Sequence, residues 1–144
     1  MTVAKILKSK GNDQVVCIAP EKTVADAALM LSERRIGSLV VSSDGKTPLG
    51  ILSERDIVRE IGRRGAGCLQ ERVEAMMTTR LVTCTREDRA DGILATMTQG
   101  RFRHMPVMDG EAMVGLITLG DVVKYRLEEL EMEKGALEGM IMGF

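Results

Sequence analysis

Aromatic side chains are nearly missing from this chain of 144 residues: tryptophan is absent, with one tyrosine and two phenylalanines. That scarcity argues against single-strand nucleic-acid binding, which stacks bases on rings, and against a sugar-stacking site. The net charge of −1 offers no long-range basic field for nucleic acid. One histidine and three cysteines, Cys17, Cys68 and Cys84, with no Cys-x-x-Cys pair, leave no structural zinc pattern. The cysteines read as reduced, buried thiols. No apolar run approaches the roughly 20 residues that span a bilayer, and no secretory leader is evident, so the expectation is a cytoplasmic chain that does not enter membranes. P-loop, HExxH and GxSxG motifs are also lacking. The repeated carboxylates described below have no recognisable acid–base partner, so a non-enzyme is expected.

What the chain does have is a core-forming hydrophobic fraction of 44 %, aliphatic and rich in methionine, with 11 of them. It also says the same thing twice. Residues 15–59 and 81–124 carry one pattern, offset by 66 positions and then by 65. Segment 24–31 aligns with 90–97, 36–41 with 102–107, and 50–56 with 115–121. Two copies are too few for a solenoid. They predict instead two halves related by a pseudo-twofold axis, burying their apolar faces on each other. The seam between such halves is a natural place for a ligand cleft.

Periodicity places the elements. Thr2 is positioned to cap a helix over 3–9 that ends at Gly11, and 14–19 reads as an extended apolar run closed by Pro20. Thr23 precedes a helical pattern in which Val24, Ala27, Ala28 and Leu31 share a face. A buried strand over 38–42, a turn at Asp44-Gly45, a returning strand over 49–52 and a helix from Ser53 follow. The glycine-rich stretch 62–67 reads as a linker. The second copy predicts a strand over 81–85, a helix over 89–99, strands over 104–108 and 113–117, and a helix from Thr118. Val73 to Met77 resembles Val3 to Leu7, so the lead-in helix also repeats.

Each repeat is thus β-α-β-β-α, an α+β fold, with a first unit over 1–66 and a second over 67–144. The last helix outruns its counterpart. Its stripe of Val123, Leu127, Leu130, Leu137 and Ile141 is close to heptad spacing and suggests packing on a partner subunit. Met140 and Met142 beside Phe144 suggest a sticky tip.

The strongest local signal is Ser53-x-x-Asp56, matched by Thr118-x-x-Asp121. Taken alone, it is a capping box with aspartate in place of glutamate. Its repetition after the same hairpin adds a second reading. A carboxylate beside a strand end can accept both hydrogen bonds of a ribose diol, and a helix N-terminus favours phosphate. Capping and binding can share these residues.

The runs at 36–41, 50–56 and 102–107 together resemble the CBS domain, and the chain from about residue 2 to 126 resembles a stand-alone tandem CBS pair, often called a Bateman module. The resemblance implies two clefts between the repeats and a regulatory, energy-sensing role. It implies a bound adenosine ligand, namely AMP, ADP, ATP, NAD or S-adenosylmethionine, with no catalytic cofactor and no metal. It also implies a homodimer and an unidentified regulated protein as partners.

Carried over by position, it places Asp56 and Asp121 on ribose hydroxyls, and Ser53 and Thr118 on ribose or phosphate. Val16, Cys17, Val82 and Thr83 would meet adenine, with Ile36 and Pro106 as apolar walls. Arg55, Ser38, Arg103 and His104 would meet phosphate. Repeat 1 has Gly37 and Ser38 where repeat 2 has Arg103 and His104, so the two clefts are expected to differ in charge. The competing expectation is a ligand-free interaction protein, in which Ser53 and Asp56 only cap a helix and the terminal helix is the working surface.

Overall fold

The computed structural model describes residues 1–11 and 15–142. Gln14, expected at the head of the first strand, and Phe144, expected in the tip, lie outside them. Repeat 1 consists of β1 (Cys17–Ile18), α2 (Val24–Arg34), β2 (Ser38–Val41), β3 (Gly50–Ser53) and α3 (Glu54–Arg64), preceded by the lead-in helix α1 (Val3–Lys10). Repeat 2 consists of α5 (Ala90–Gly100), β4 (His104–Asp109), β5 (Ala112–Thr118) and α6 (Leu119–Ile141), preceded by a short helix α4 (Val73–Met76). In repeat 1, β1 runs parallel to β2, which pairs antiparallel with β3. In repeat 2, β4 and β5 form the matching antiparallel pair.

Two elements differ from expectation. The strand expected over 81–85 shrinks to a single parallel bridge, Cys84 with Val107. A tight turn in which the Leu81 N–H donates to Thr79 O (3.0 Å) diverts the backbone before it can pair, and Val82 and Thr83 are exposed. The linker expected over 62–67 is largely helical: α3 runs through Gly62 to Arg64, and a 3-10 helix follows over Ala66–Gln70. Arg64 explains why the chain stays ordered there, since its guanidinium reaches Glu60 (2.7 Å) and both oxygens of Glu71 (2.9 and 2.7 Å).

The lead-in helices cross over. Val3, Ile6 and Leu7 of α1 are buried in the core of repeat 2, beside Met97, Met105 and Ile117. Val73 of α4 is buried in the core of repeat 1, beside Leu31, Leu39 and Leu52. Burying an aliphatic side chain of this size contributes about 1.5–3 kcal/mol, so each core depends on its borrowed helix. The joints are matched: the Val3 N–H donates to Asp88 O (2.8 Å), and the Val73 N–H to Lys22 O (2.7 Å). Gly50 and Gly115 make room for the visitors. A Cβ on Gly50 would lie 2.6 Å from Met77 Sδ and 2.8 Å from Thr78 O, and one on Gly115 would lie 2.8 Å from Leu7 Cδ2.

A third, smaller core of Val40, Ile51 and Met113, flanked by Cys17, Met108 and Leu116, joins the two repeats. This is the pseudo-twofold seam. Cys68 and Cys84 are buried, Cys17 is half-buried, and all three are free. Burial, reinforced by the Asp88 charge, pushes the Cys84 thiol up to about 12. No helix among the described residues is long and apolar enough to cross a membrane. The α6 stripe is exposed, with Leu127 and Leu137 each 58 % accessible.

Candidate functional site

Both repeated hydroxyl–carboxylate pairs cap helices. Ser53 Oγ accepts from the Asp56 N–H (3.2 Å) while Asp56 Oδ2 accepts from the Ser53 N–H (3.0 Å). Thr118 and Asp121 do the same at 3.1 and 3.0 Å. Thr23 and Asp26 form a third such box at the start of α2, and neither residue lines a cleft. The box alone therefore does not mark a site. What sets Ser53 and Thr118 apart is that their strands end at the seam.

Two cavities open there. The larger has a volume of about 1290 Å³. Its lining takes Ser53, Arg55 and Asp56 from repeat 1, Val82 from the segment leading into repeat 2, and Arg103 and His104 from repeat 2. The smaller, about 230 Å³, is bounded by Val16, Ile36 and Ser38 from repeat 1 and by Thr118 and His104 from repeat 2. The large cleft thus combines the capped starts of α3 and α6 with the segment leading into repeat 2, while the small one joins Thr118 to the segment leading into repeat 1. Compact ligand pockets run from about 300 to 1,000 Å³, so only the larger cleft has the room for a nucleotide.

Four residues singled out from sequence line neither cavity. The Cys17 side chain packs at the seam against Val40 and Ile51. Thr83 is exposed on the segment before the Cys84 bridge. Pro106 is buried inside β4, and its carbonyl is taken by the Cys84 N–H (3.0 Å). Asp121 is covered by Lys10 of α1, whose ammonium reaches Asp121 Oδ2 (2.7 Å) and Leu116 O (3.0 Å). Asp56 instead takes Arg59 on its own helix (3.0 Å) and stays on the wall of the large cleft.

Electrostatically the large cleft is basic. Arg55, Arg59, Arg80, Arg101, Arg103 and Lys124 face it, against the carboxylates Glu54 and Asp56. His104 lines both clefts. Burial holds its pKa below the ordinary 6.5, and the Arg103 charge adds to this, outweighing the opposing fields of Asp56, Asp121 and Glu54. The imidazole is therefore neutral at physiological pH.

Sequence reasoning missed Arg80, Arg101, Lys124 and Lys10, whose roles depend on where helix ends fall. It also missed Phe102, which lines the large cleft. That residue was within reach, because the repeat alignment sets it opposite Ile36 of the small cleft. Among the described residues no group of three or more His, Cys, Asp or Glu side chains is placed to hold a metal ion.

Comparison with known proteins gives a consistent picture. The family model described as CBS domain matches residues 4–63 and 73–128. The mitochondrial CBS domain-containing protein CBSX3 of Arabidopsis thaliana is 32 % identical, over 99 % of this chain and 72 % of its own length. The crystal structure of the CBS-domain containing protein ATU1752 from Agrobacterium tumefaciens is 37 % identical, with a TM-score of 0.83 over 88 % of this chain and 99 % of that one. At 22 % identity, the CBS domain protein PAE2072 from Pyrobaculum aerophilum, complexed with AMP, shares the fold. It has a TM-score of 0.77 over 93 % of this chain and 99 % of that one.

Proposed function

The chain belongs to the CBS-domain family, and from that premise we propose that it is a regulatory module that senses an adenosine nucleotide bound in the large cleft between its repeats. The observation that carries this reading is the placement of Ser53 and Asp56. They cap α3 on the wall of a cavity of about 1290 Å³ that is also lined by Val82, Phe102 and Arg103 from the other repeat. In this reading Asp56 takes the ribose diol, the backbone near Val82 takes the adenine edge, and Phe102 is the apolar wall. Arg55, Arg103 and neutral His104 take phosphate. Thr118, at the second helix N-terminus on the same wall, adds a further donor. A relative that shares the fold was crystallised with AMP, which supports an adenosine ligand over other chemistries.

Because the lining comes from both repeats, a ligand there shifts the angle between them by its differential affinity for the two arrangements. The bodies that would move are each repeat together with the lead-in helix it borrows: repeat 1 with α4, and repeat 2 with α1. The module works as regulator rather than catalyst, in a reducing compartment that we take to be the cytoplasm. The exposed stripe on α6 supports self-association as a homodimer, and replacing Leu130 and Leu137 together with lysine should abolish association while leaving nucleotide binding in place, since neither lines the cleft.

A thermal-shift screen against AMP, ADP, ATP, NAD and S-adenosylmethionine tests the central reading. A ligand at about 100 times its dissociation constant adds about 2.7 kcal/mol, or on the order of 8 °C for a chain of this size. A shift with an adenosine compound that disappears in Asp56→Ala is the expected result. No shift with any of them would favour the ligand-free interaction protein.

A further inference from the structure

The chain as a whole is almost neutral, at −1, yet the large cleft gathers six cationic side chains against two carboxylates. Arg59 is matched by Asp56 and Glu60. Arg55, Arg80, Arg101, Arg103 and Lys124 form no ion pair among the described residues. They come from four places: the first turn of α3, the segment after α4, the α5–β4 junction, and α6. Like charges converging on a concave surface repel one another and focus a positive potential into it. Arg63 and Arg64 at the end of α3, by contrast, are matched by Glu60 and Glu71. The cleft thus brings five unmatched cations onto one concave surface.

Arg101 carries a second mark. It is the C-cap of α5 in the left-handed region, φ 56 and ψ 41, where a non-glycine side chain is strained and glycine is the usual occupant. Repeat 1 holds Arg35 in the same conformation, φ 53 and ψ 47, at the end of α2. Arg35 lines neither cleft, whereas Arg101 lines the large one. The pair thus supplies an internal control: one strained arginine beside the cavity and one away from it.

Resting on the nucleotide reading of the same cleft, we infer that it is built for a polyphosphate chain, so that its ligand is a nucleoside di- or triphosphate. Arg101 and Arg103 receive the distal phosphates, and Arg55, Arg80 and Lys124 supply the surrounding field. A monophosphate carries too little charge to engage cations contributed from four separate segments. The sulfonium of S-adenosylmethionine is repelled by them.

Isothermal titration in magnesium-free buffer at low and high salt tests this with AMP, ATP, S-adenosylmethionine and inorganic tripolyphosphate. ATP is expected to bind at least about tenfold more tightly than AMP, because charge-assisted contacts to phosphate are the strong ones. S-adenosylmethionine should be weakest, and the ATP preference should shrink as salt rises. Arg101→Gly should weaken ATP about three- to tenfold and leave AMP within about twofold, while raising Tm by about 3 °C through relief of the left-handed strain. Arg35→Gly should raise Tm similarly and leave both affinities unchanged.

Equal affinity for AMP and ATP, or an Arg101→Gly protein that binds ATP as tightly as the parent, would overturn the polyphosphate assignment alone. Binding of tripolyphosphate with no adenosine compound would sink the nucleotide reading and keep the polyanion site. Silence from all four probes would remove both.

Discussion

The two repeats carry the same hydroxyl–carboxylate motif with the same capping geometry, yet only one of the two carboxylates faces a cleft. In repeat 1, Asp56 is bonded by its own helix and the cavity it faces measures about 1290 Å³. In the other repeat Asp121 is bonded by Lys10 from the crossed lead-in helix and lines neither cleft, and the smaller cavity measures about 230 Å³. The contrast teaches that duplication copied the scaffold but not the site. The borrowed segments also differ in what they present. The segment after α4 sends Arg80 to the wall of the large cleft, whereas α1 ends in a lysine that occupies the carboxylate itself.

The sharpest way to break this comparison is to remove each carboxylate in turn. Asp56→Ala should lower nucleotide affinity by about a hundredfold, the loss of two hydrogen bonds to a charged acceptor at about 1.5 kcal/mol each. Asp121→Ala should leave it within about twofold, and calorimetry should find one ligand per chain. Equal losses would make the clefts equivalent after all.

Next in size are the two glycines that admit the lead-in helices. Gly50→Ala forces a Cβ against the Thr78 backbone and should cost about 2–3 kcal/mol in urea denaturation. Gly115→Ala meets only the flexible end of Leu7 and should cost about 1 kcal/mol.

Lys10→Met sharpens the comparison further. Its ion pair is partly exposed, at 28 % for the lysine and 20 % for Asp121, so the stability loss should stay within about 1 kcal/mol. The informative readout is stoichiometry, which should stay at one, because the small cleft lacks the room for a nucleotide whatever holds Asp121. A rise toward two would show that Lys10, rather than size, excludes ligand.

The smallest effect concerns His104, which lines both clefts. Its folded pKa lies below the ordinary 6.5 because of burial and Arg103, so the unfolded chain takes up the proton first. The stabilisation is complete above about pH 6.5 and is lost as pH falls through that region. His104→Asn should flatten the dependence of urea stability on pH between about 7.5 and 5.5.

Much of this was legible from sequence because the repeat doubles every signal. Helix starts at Thr2, Thr23, Ser53 and Thr118 are written in capping residues, and the hairpin strands in valine, isoleucine and glycine. The family resemblance was readable for the same reason, as two weak patterns in matching order make a strong one. What could not be read was which helix serves which core. The faces of α1 and α4 are interchangeable in pattern, so only tertiary packing reveals the crossing. The basic lining was hidden for a related reason. Arg80, Arg101 and Lys124 belong to three separated segments, and no local motif announces that these converge.

The crossing also sets the order in which the molecule can be assembled. Helix α1 is made early, but the core that receives Val3 and Ile6 is completed only by residues as far on as Val122 and Tyr125. Repeat 1, whose strands emerge first, is likewise left open until Val73 arrives. Contacts this distant in sequence slow folding, because the closure of long loops must precede any reward. During synthesis, then, α1 emerges before both repeats yet is among the last elements to dock. Neither half has a finished interior of its own to fold around, so the repeats reach the native state together.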